Sequence, residues 1–456
     1  MRQIIIQFIL AYIRFFARCS LMIHKPIVIG ITGSVGKSSA RNAIFALLKD
    51  HYPTKVIEKG NSETGIPLGI LGLSPINYSV QDWLRLMILT PFGLRYLIRT
   101  KYLIVEMGID DPNPPKNMDY LLGIVQPDIA IFLNVFPVHS LQFDSVVPSH
   151  IKGKERRQEV IKAIAREKGR IITKSQARTV IFNSDDEMVN EIAQSVKDTK
   201  QLLSFGKDQN NNITYNSYEI TNTESIFKYI LQGKKNSDEI MIRIKNYLLP
   251  IQYREIFAST ILLGKFLGLQ NKQIINALEK NFTMPQSRSS VFDGINHSTL
   301  IDSSYNASRI SVLALLEMIK MLKEKTKRPT VFVFGDMREL GKETEIEHIS
   351  LIKHIEKTFD YLYCVGPQTK QFIIPKITKK MDDMQWFKSY LQVAVYIKKN
   401  LPENSIVLIK GSQNEIYLEE VVKQLLLNKS DISKLCRQSE FWMGLKQKFL
   451  NRVRSL

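Results

Sequence analysis

Between an apolar run and a helix-forming segment the chain reads GITGSVGKSSARNAI, residues 30–44. Glycines in such a loop let main-chain N–H groups close on phosphate oxygens. The start of the following helix adds positive potential at the same place. Lys37 can neutralise terminal phosphates and Ser38 can ligate Mg²⁺. Gly33, Ser34, Val35, Gly36 and Ser39 complete the loop. The strict nucleotide-loop pattern is not met: Gly30 to Gly36 spans seven residues and Gly33 to Gly36 four, so this is a variant of it. A Gly-rich turn with a solvated lysine is the plain alternative.

Phosphate chemistry with a metal needs further ligands. Glu106 ends the apolar run YLIVEM, and a carboxylate at the carboxyl end of a strand is well placed for Mg²⁺. It could equally cap a helix. NVFPVH, residues 134–139, follows another apolar run and brings His139 to the same edge, although a lone histidine is more often structural.

The elements that must position these groups can be read from the pattern. Residues 27–31, 102–107 and 129–133 are continuous apolar runs of strand length, and Ser39–Leu48 is helix-like. Unbroken apolar strands alternating with helices predict a mostly parallel sheet covered on both sides. Residues 206–245 are polar with short β-like runs, which predicts an antiparallel extension. From about residue 286 the runs 298–304, 330–335, 360–365 and 405–410 alternate with helices as a second α/β unit. The expected organisation is an N-terminal helix over 1–26, a central nucleotide-binding domain over 27–285, a C-terminal α/β domain over 286–430 and a basic helical tail over 431–456.

At 456 residues the chain is long for one core, and a net charge of +19 calls for anionic partners or a generally basic surface. No basic motif interleaved with aromatic residues appears, so nucleic acid is not expected as a partner. The three cysteines, Cys19, Cys364 and Cys436, have no zinc spacing and no disulfide framework, which suits a reducing, cytoplasmic setting. The N-terminus, MRQIIIQFILAYIRFFARCSLMIHKP, is broken by Gln7, Arg14 and Arg18 and is not a membrane span. It reads as an amphipathic helix with Arg2, Arg14 and Arg18 near its polar face. Peripheral contact with the inner membrane surface and packing on its own domain are both open. SVQDWLRLMILTPFGLRYLIRTK, residues 79–101, is also amphipathic and basic, with Trp83, Leu84, Met87, Ile88, Leu94 and Leu97 available as an apolar face. A helical hairpin covering the sheet and a membrane-surface element are the two readings.

The order GSVGKSS, NSETGIPLGIL, VEMG, NVFPVH, AREKGRII, LIDSSYNAS, FGDMRELG and IKGS resembles the Mur ligase family from about residue 27 to about residue 425. The resemblance implies a central P-loop ATPase-like domain with a mostly parallel sheet, followed by a Rossmann-like C-terminal α/β domain. It implies an ATP- and Mg²⁺-dependent ligase that joins a carboxylate to an amine through an acyl phosphate. GDMRELG and SYNA point to D-alanyl-D-alanine as the amine and a muramoyl-tripeptide, a muropeptide precursor of the cell wall, as the acid. The enzyme would be a cytoplasmic monomer.

Matched by position, the resemblance implies that Lys37 and Ser38 hold ATP phosphates and Mg²⁺, with Glu106 and His139 as metal ligands. It implies that Lys168, in AREKGRII, is the lysine converted by CO₂ to a carbamate. Asn61, Ser62 and Glu63 would face the acceptor. Arg288, Asp302, Tyr305 and Asn306 would lie near the ATP phosphates and ribose. Asp336, Glu339, Lys410 and Ser412 would line the amine site, although Asp336 and Glu339 could simply cap a helix. His348 is a weak candidate for the general base. The two α/β units are expected to close on each other.

Three departures from the family stand out. The phosphate loop begins at residue 30, so no separate uridine-nucleotide-binding domain is expected ahead of it, and the N-terminal helix or a lipid-linked substrate could take its place. Tyr253 and Arg254 stand where a His-Asn pair contacts adenine. Ser303 replaces the second of two aspartates, and Arg309 stands where a proline is common. These leave two other readings open: a ligase for a different acidic substrate, and a nucleotide-binding scaffold without catalysis.

Overall fold

A computed structural model describes residues 2–57, 63–76, 79–137, 140–233, 237–338, 340–413 and 415–454. The chain divides into two compact units. The first comprises 1–217, 228–242 and 253–283; the second comprises 218–227, 243–252 and 284–456.

The first unit is built on β1 Ile27–Thr32, β2 Thr54–Val56, β3 Tyr102–Glu106, β4 Ile129–Phe132, β5 Thr179–Asn183 and β6 Gln201–Gly206. β7 Ile213–Ile220, β8 Glu224–Leu231 and β9 Asp238–Lys245 continue the sheet in the order β2-β3-β1-β4-β5-β6-β7-β8-β9. All six pairings from β2 to β7 are parallel. β3, β4 and β5 are buried along their whole length, as apolar strands covered on both faces must be. β1 lies between β3 and β4. The chain therefore leaves β1 at the crevice where strand order reverses, the place at which open parallel sheets bind ligands.

The helix Arg2–His24 packs on this unit through Ile13 and Ala17, both buried. Its outward side carries the exposed Phe8, Phe15 and Met22 beside the exposed Arg18. The segment 79–101 forms a helix, Val80–Leu89, and a 3-10 turn, Pro91–Arg95. Its inner side also differs from the expected one. Leu86 and Leu97 are buried, whereas Leu84 and Ile88 point outward. Apolar residues surround that helix, so periodicity alone cannot choose the covered side.

The second unit contains β10 Ser290–Asp293, β11 Thr299–Ser303, β12 Thr330–Gly335, β13 Tyr361–Val365, β14 Asp383–Phe387 and β15 Ile406–Lys410, ordered β10-β11-β15-β12-β13-β14. Only β10 pairs antiparallel. Side chains alternate between two apolar cores: Phe332, Phe334 and Leu408 on one face, Val331, Val333, Val407 and Ile409 on the other. The helix Glu440–Arg454 closes the second of these cores with Trp442, Phe449 and Leu450.

Candidate active site

The phosphate loop joins β1 to the helix Lys37–Leu48. Gly36 has φ 85°, a left-handed conformation that a side chain would strain, and the helix begins at the next residue. The segment after β4 holds the loop in shape. Ser34 N donates to Asn134 O at 2.9 Å, Val35 N to Asn134 Oδ1 at 3.0 Å, and Ser34 Oγ to Phe136 O at 3.0 Å. Asn134 is buried and also donates through Nδ2 to Glu255 Oε2 at 3.4 Å. Burial pushes the Glu255 carboxyl up to about 7.

Lys37 Nζ turns back over its loop, 2.8 Å from Gly33 O and 3.4 Å from Ser34 O. Desolvation lowers its pKa, while the charges of Glu106 and Asp110 oppose the shift. Ser38 Oγ donates to Glu106 Oε2 at 2.9 Å, and Arg41 Nη1 stands 3.5 Å from the same oxygen. The loop hydroxyl and the strand-end carboxylate are thus brought together from positions 68 apart in sequence.

Lys168 lies on the helix Gly153–Thr173 and is buried. Desolvation, and then repulsion from Lys37, lowers its pKa to about 7, while Asp110 and Glu167 pull the other way. Its neutral form is therefore far more accessible near neutral pH than that of an ordinary lysine. The neighbouring Glu167 accepts Met118 N at 2.8 Å, which ties this helix to the helix Met118–Leu122.

Tyr253 opens the helix Tyr253–Phe266, and its hydroxyl lies 3.2 Å from Ser39 Oγ. The Arg254 guanidinium stacks over the Tyr215 ring at 4.4 Å. Tyr253 thus sets an aromatic hydroxyl against the loop, and its neighbour Arg254 is a ring-stacked cation.

The second unit has its own polar cluster at the carboxyl ends of its strands. Arg288 is flanked by Ser287 at φ 57° and Ser289 at φ 60°, and its guanidinium lies over the Tyr305 ring at 4.7 Å. Asp302 is fully buried and accepts Ser304 N at 3.0 Å; burial raises its carboxyl pKa. Lys410 Nζ donates to Asn306 O at 2.7 Å and Ser303 Oγ at 3.4 Å. Burial, and then repulsion from Arg288, lowers it to about 7, against a pull from Asp302.

Ser303, which the resemblance sets at an aspartate position, thus faces Lys410 with a hydroxyl and no charge. A lysine with a depressed folded-state pKa leaves the unfolded chain binding more protons between about pH 7 and 10.5. Stability should rise with pH across that window, by up to about 1.4 kcal/mol per pH unit for one proton. Ser303→Asp is expected to flatten this slope in urea titrations at pH 7, 8.5 and 10, because it gives Lys410 a counter-charge.

Ser412 Oγ accepts Arg338 N at 2.9 Å, and Ser412 N donates to Asp336 O at 3.1 Å. The Asp336 carboxylate accepts Gln368 N at 3.1 Å and Thr369 N at 2.8 Å, so it caps the short helix Pro367–Phe372. His348 is fully buried, with Nε2 accepting Met337 N at 3.1 Å and Nδ1 2.7 Å from Thr344 O. Both its nitrogens are engaged, and desolvation lowers its pKa. That is a structural histidine rather than a poised base.

The fold gathers Gly33, Ser34, Val35, Gly36, Lys37, Ser38 and Ser39 with Glu106 and Lys168 in the first unit. In the second it gathers Arg288, Asp302, Tyr305 and Asn306 with Lys410. Glu63 lies in the turn before the helix Gly65–Ile70. His139, Asn61, Ser62 and Glu339 lie outside the described residues. Sequence reading passed over Asn134, Glu255 and Arg41. The only signal for the first was a polar residue directly after an apolar strand. Among the described residues no cluster of three or more His, Cys, Asp or Glu could hold a metal unaided.

Two family models match the chain: the Mur ligase middle domain over residues 31–247 and the Mur ligase glutamate ligase domain over 287–413. The UDP-N-acetylmuramoyl-tripeptide–D-alanyl-D-alanine ligase of Borreliella burgdorferi is 25% identical over 405 residues, covering 87% of this chain and 75% of its own. The enzyme of that name from Bacillus subtilis is 24% identical over 412 residues, covering 88% and 76%. Among solved structures, MurF ligase from Thermotoga maritima in complex with ADP superposes with a TM-score of 0.68 at 20% identity, covering 93% of this chain and 84% of that one. MurF from Acinetobacter baumannii gives 0.67 at 19%, covering 91% and 79%. At these identities the structural likeness speaks for the fold. The two domain matches, in family order and around the loop, the strand-end glutamate and the buried lysine just described, show that the chain belongs to the Mur ligase family.

Proposed function

We propose that this protein is an ATP-dependent C–N ligase that adds D-alanyl-D-alanine to the terminal carboxylate of a muramoyl-tripeptide. The substrates are those named for its curated relatives, and ATP use is supported by the ADP complex of a structural neighbour. The observation that carries the reading is the convergence of Ser38 on Glu106, 2.9 Å apart, beside a half-buried Lys37 and a buried Lys168.

The acceptor carboxylate attacks the γ-phosphorus of ATP, the bond to the β,γ-bridging oxygen breaks, and ADP leaves. The resulting acyl phosphate is attacked by the amine of D-alanyl-D-alanine. The tetrahedral intermediate expels inorganic phosphate and the amine's proton is lost. Positioning and charge stabilisation do most of this work. Loop N–H groups and Lys37 offset the charge that gathers on the transferred phosphoryl group.

Ser38 and Glu106 are hard oxygen donors of the kind Mg²⁺ takes alongside nucleotide phosphates and water, so they fit this ion and would hold it. Bound there, the ion would neutralise phosphate charge. A carbamate on Lys168 forms when its neutral amine attacks CO₂ and loses a proton. It turns the repulsion between Lys168 and Lys37 into attraction. The lowered pKa supplies the neutral amine this requires.

Purified protein with ATP and Mg²⁺ is expected to release phosphate only when both the muramoyl-tripeptide and D-alanyl-D-alanine are present. Release indifferent to the acceptor rejects ligase chemistry; release with another acid or amine reassigns the substrate. Lys168→Ala is expected to lower the rate by at least about 10²-fold. In parallel, the wild-type rate should fall in CO₂-free buffer, most strongly below pH 7 where Lys168 protonates, and recover with bicarbonate. A rate indifferent to CO₂ argues that Lys168 acts as an unmodified amine.

A further inference from the structure

Two helices of the first unit turn apolar stripes away from its core. On the helix Arg2–His24, Phe8, Phe15 and Met22 recur every seven residues and remain 64%, 62% and 63% exposed. Seven residues is about two helical turns, so the three share one line. The opposite line, Ile13, Ala17 and Ser20, is buried. On the helix Val80–Leu89 the same inversion occurs. Val80, Leu84 and Ile88 are 77%, 56% and 68% exposed, while Asp82 and Leu86 face inward. Phe92, 72% exposed, continues that surface.

The two elements lie side by side. His24 Nε2 is 2.8 Å from Leu94 O, Ser20 Oγ donates to Leu94 O at 3.4 Å, and Tyr12 OH donates to Met87 O at 3.4 Å. Along the first helix runs a groove of about 730 Å³, with Phe15, Met22, Arg14 and Arg18 on its helix wall and Pro114, Pro115 and Tyr120 on the other. An apolar trough with guanidinium groups suits an acyl chain and its phosphate.

Charge identifies the occupant. Residues 1–49 contain no Asp or Glu. Residues 79–101 contain only Asp82, which is buried and paired with Arg85 at 2.7 Å. Arg18, Lys25, Arg95 and Arg99 are exposed. No helix among the described residues is long and apolar enough to cross a membrane, which leaves a surface that lies in the interface plane.

We propose that the helix Arg2–His24 and the segment 79–101 together dock this protein onto the face of an anionic bilayer. Aromatic and aliphatic side chains enter the headgroup–acyl boundary, and the arginines meet lipid phosphates. This holds whatever the substrate of the ligase site.

The test is flotation of the full chain with vesicles of phosphatidylcholine alone, or with phosphatidylglycerol added. Binding is expected only to the anionic vesicles and should weaken steeply with salt. The triple variant Phe15→Glu, Leu84→Glu, Phe92→Glu should bind at least about tenfold more weakly, since each change removes inserted area and adds repulsion. Arg18→Ser, Arg95→Ser, Arg99→Ser should weaken binding comparably. It alters only exposed groups, so it decides the matter if the first variant does not fold. Failure of the wild type to float with anionic vesicles overturns the proposal, as does undiminished binding by the folded variants. So does a dimer of the wild type, dissolved by the glutamates, with no lipid binding: the face would then serve a second copy of the chain.

Discussion

Lys37→Ala is expected to remove acceptor-dependent phosphate release, with a loss of at least about 10³-fold in kcat. The ammonium sits over the loop on the Gly33 and Ser34 carbonyls, where it can follow negative charge as it moves from nucleotide to acyl phosphate. Neighbouring cations do not substitute for it. Arg41 is committed near Glu106, and Lys168 is held in an environment that favours its neutral form. The measurement is single-turnover phosphate release with both substrates saturating, beside nucleotide affinity from a fluorescent ATP analogue. A variant that binds the analogue normally yet fails to turn over assigns Lys37 to the transition state. A variant retaining more than a tenth of the wild-type rate would show that the loop binds phosphate for another purpose. Lys37→Arg should rescue little, because the planar guanidinium cannot reproduce a compact ammonium close against main-chain carbonyls.

Arg437→Ala should destabilise the second unit by about 3–5 kcal/mol. The Glu419 side chain is fully buried and receives two bonds from Arg437, Nε to Oε1 at 3.0 Å and Nη2 to Oε2 at 2.7 Å. Lys446 Nζ adds an ion pair to Glu419 Oε1 at 2.8 Å and one to Glu420 at 2.6 Å. Arg437 also donates to Ser304 O at 2.8 Å and Tyr305 O at 3.1 Å, so the segment leading into the helix Glu440–Arg454 is pinned to the backbone that presents Tyr305. Removing the arginine strips a buried carboxylate of its bidentate partner, and desolvation of the remaining charge dominates the loss.

The variant should show an earlier urea transition, detected by hydrogen exchange in β11 and β15, with the first unit's transition unchanged. Replacing the whole set, Glu419→Leu with Arg437→Met and Lys446→Met, should cost less than Arg437→Ala alone, since the fully buried Glu419 carboxylate goes with both its cations and Glu420 keeps Lys423 at 3.7 Å. A triple variant weaker than the single would show that directional contacts, not uncompensated charge, set the stability here.

The two α/β units were legible because continuous apolar runs alternate with helical segments, and a parallel sheet covered on both faces leaves no other pattern. The Gly-rich turn from β1 into the helix Lys37–Leu48 was legible for the same reason: its geometry is local, fixed by Gly36 and by the strand and helix that flank it. Glu106 could be named because a strand end is a definite place in a sheet. Its direct contact with Ser38 is a matter of sheet order. The sheet order puts β1 beside β3, and only that adjacency carries Ser38 to within 2.9 Å of the carboxylate.

The substituted positions show the other limit. Ser303 was readable as a lost charge, but its consequence depends on Lys410 arriving from β15, and the register Ser303↔Lys410 is a property of the sheet. Arg437 and Lys446 read as members of a basic tail, yet they hold the fully buried Glu419 carboxylate. Nothing in their sequence distinguishes them from solvated cations.

What the sequence alone determined is therefore the alternation of elements, the phosphate loop and the family to which both belong, because each depends on residues near one another along the chain. Tertiary structure decided which helix faces are covered, which cations are buried and which groups meet. Burial, charge compensation and the direction of an apolar stripe depend on neighbours distant in sequence, and only the folded chain supplies them.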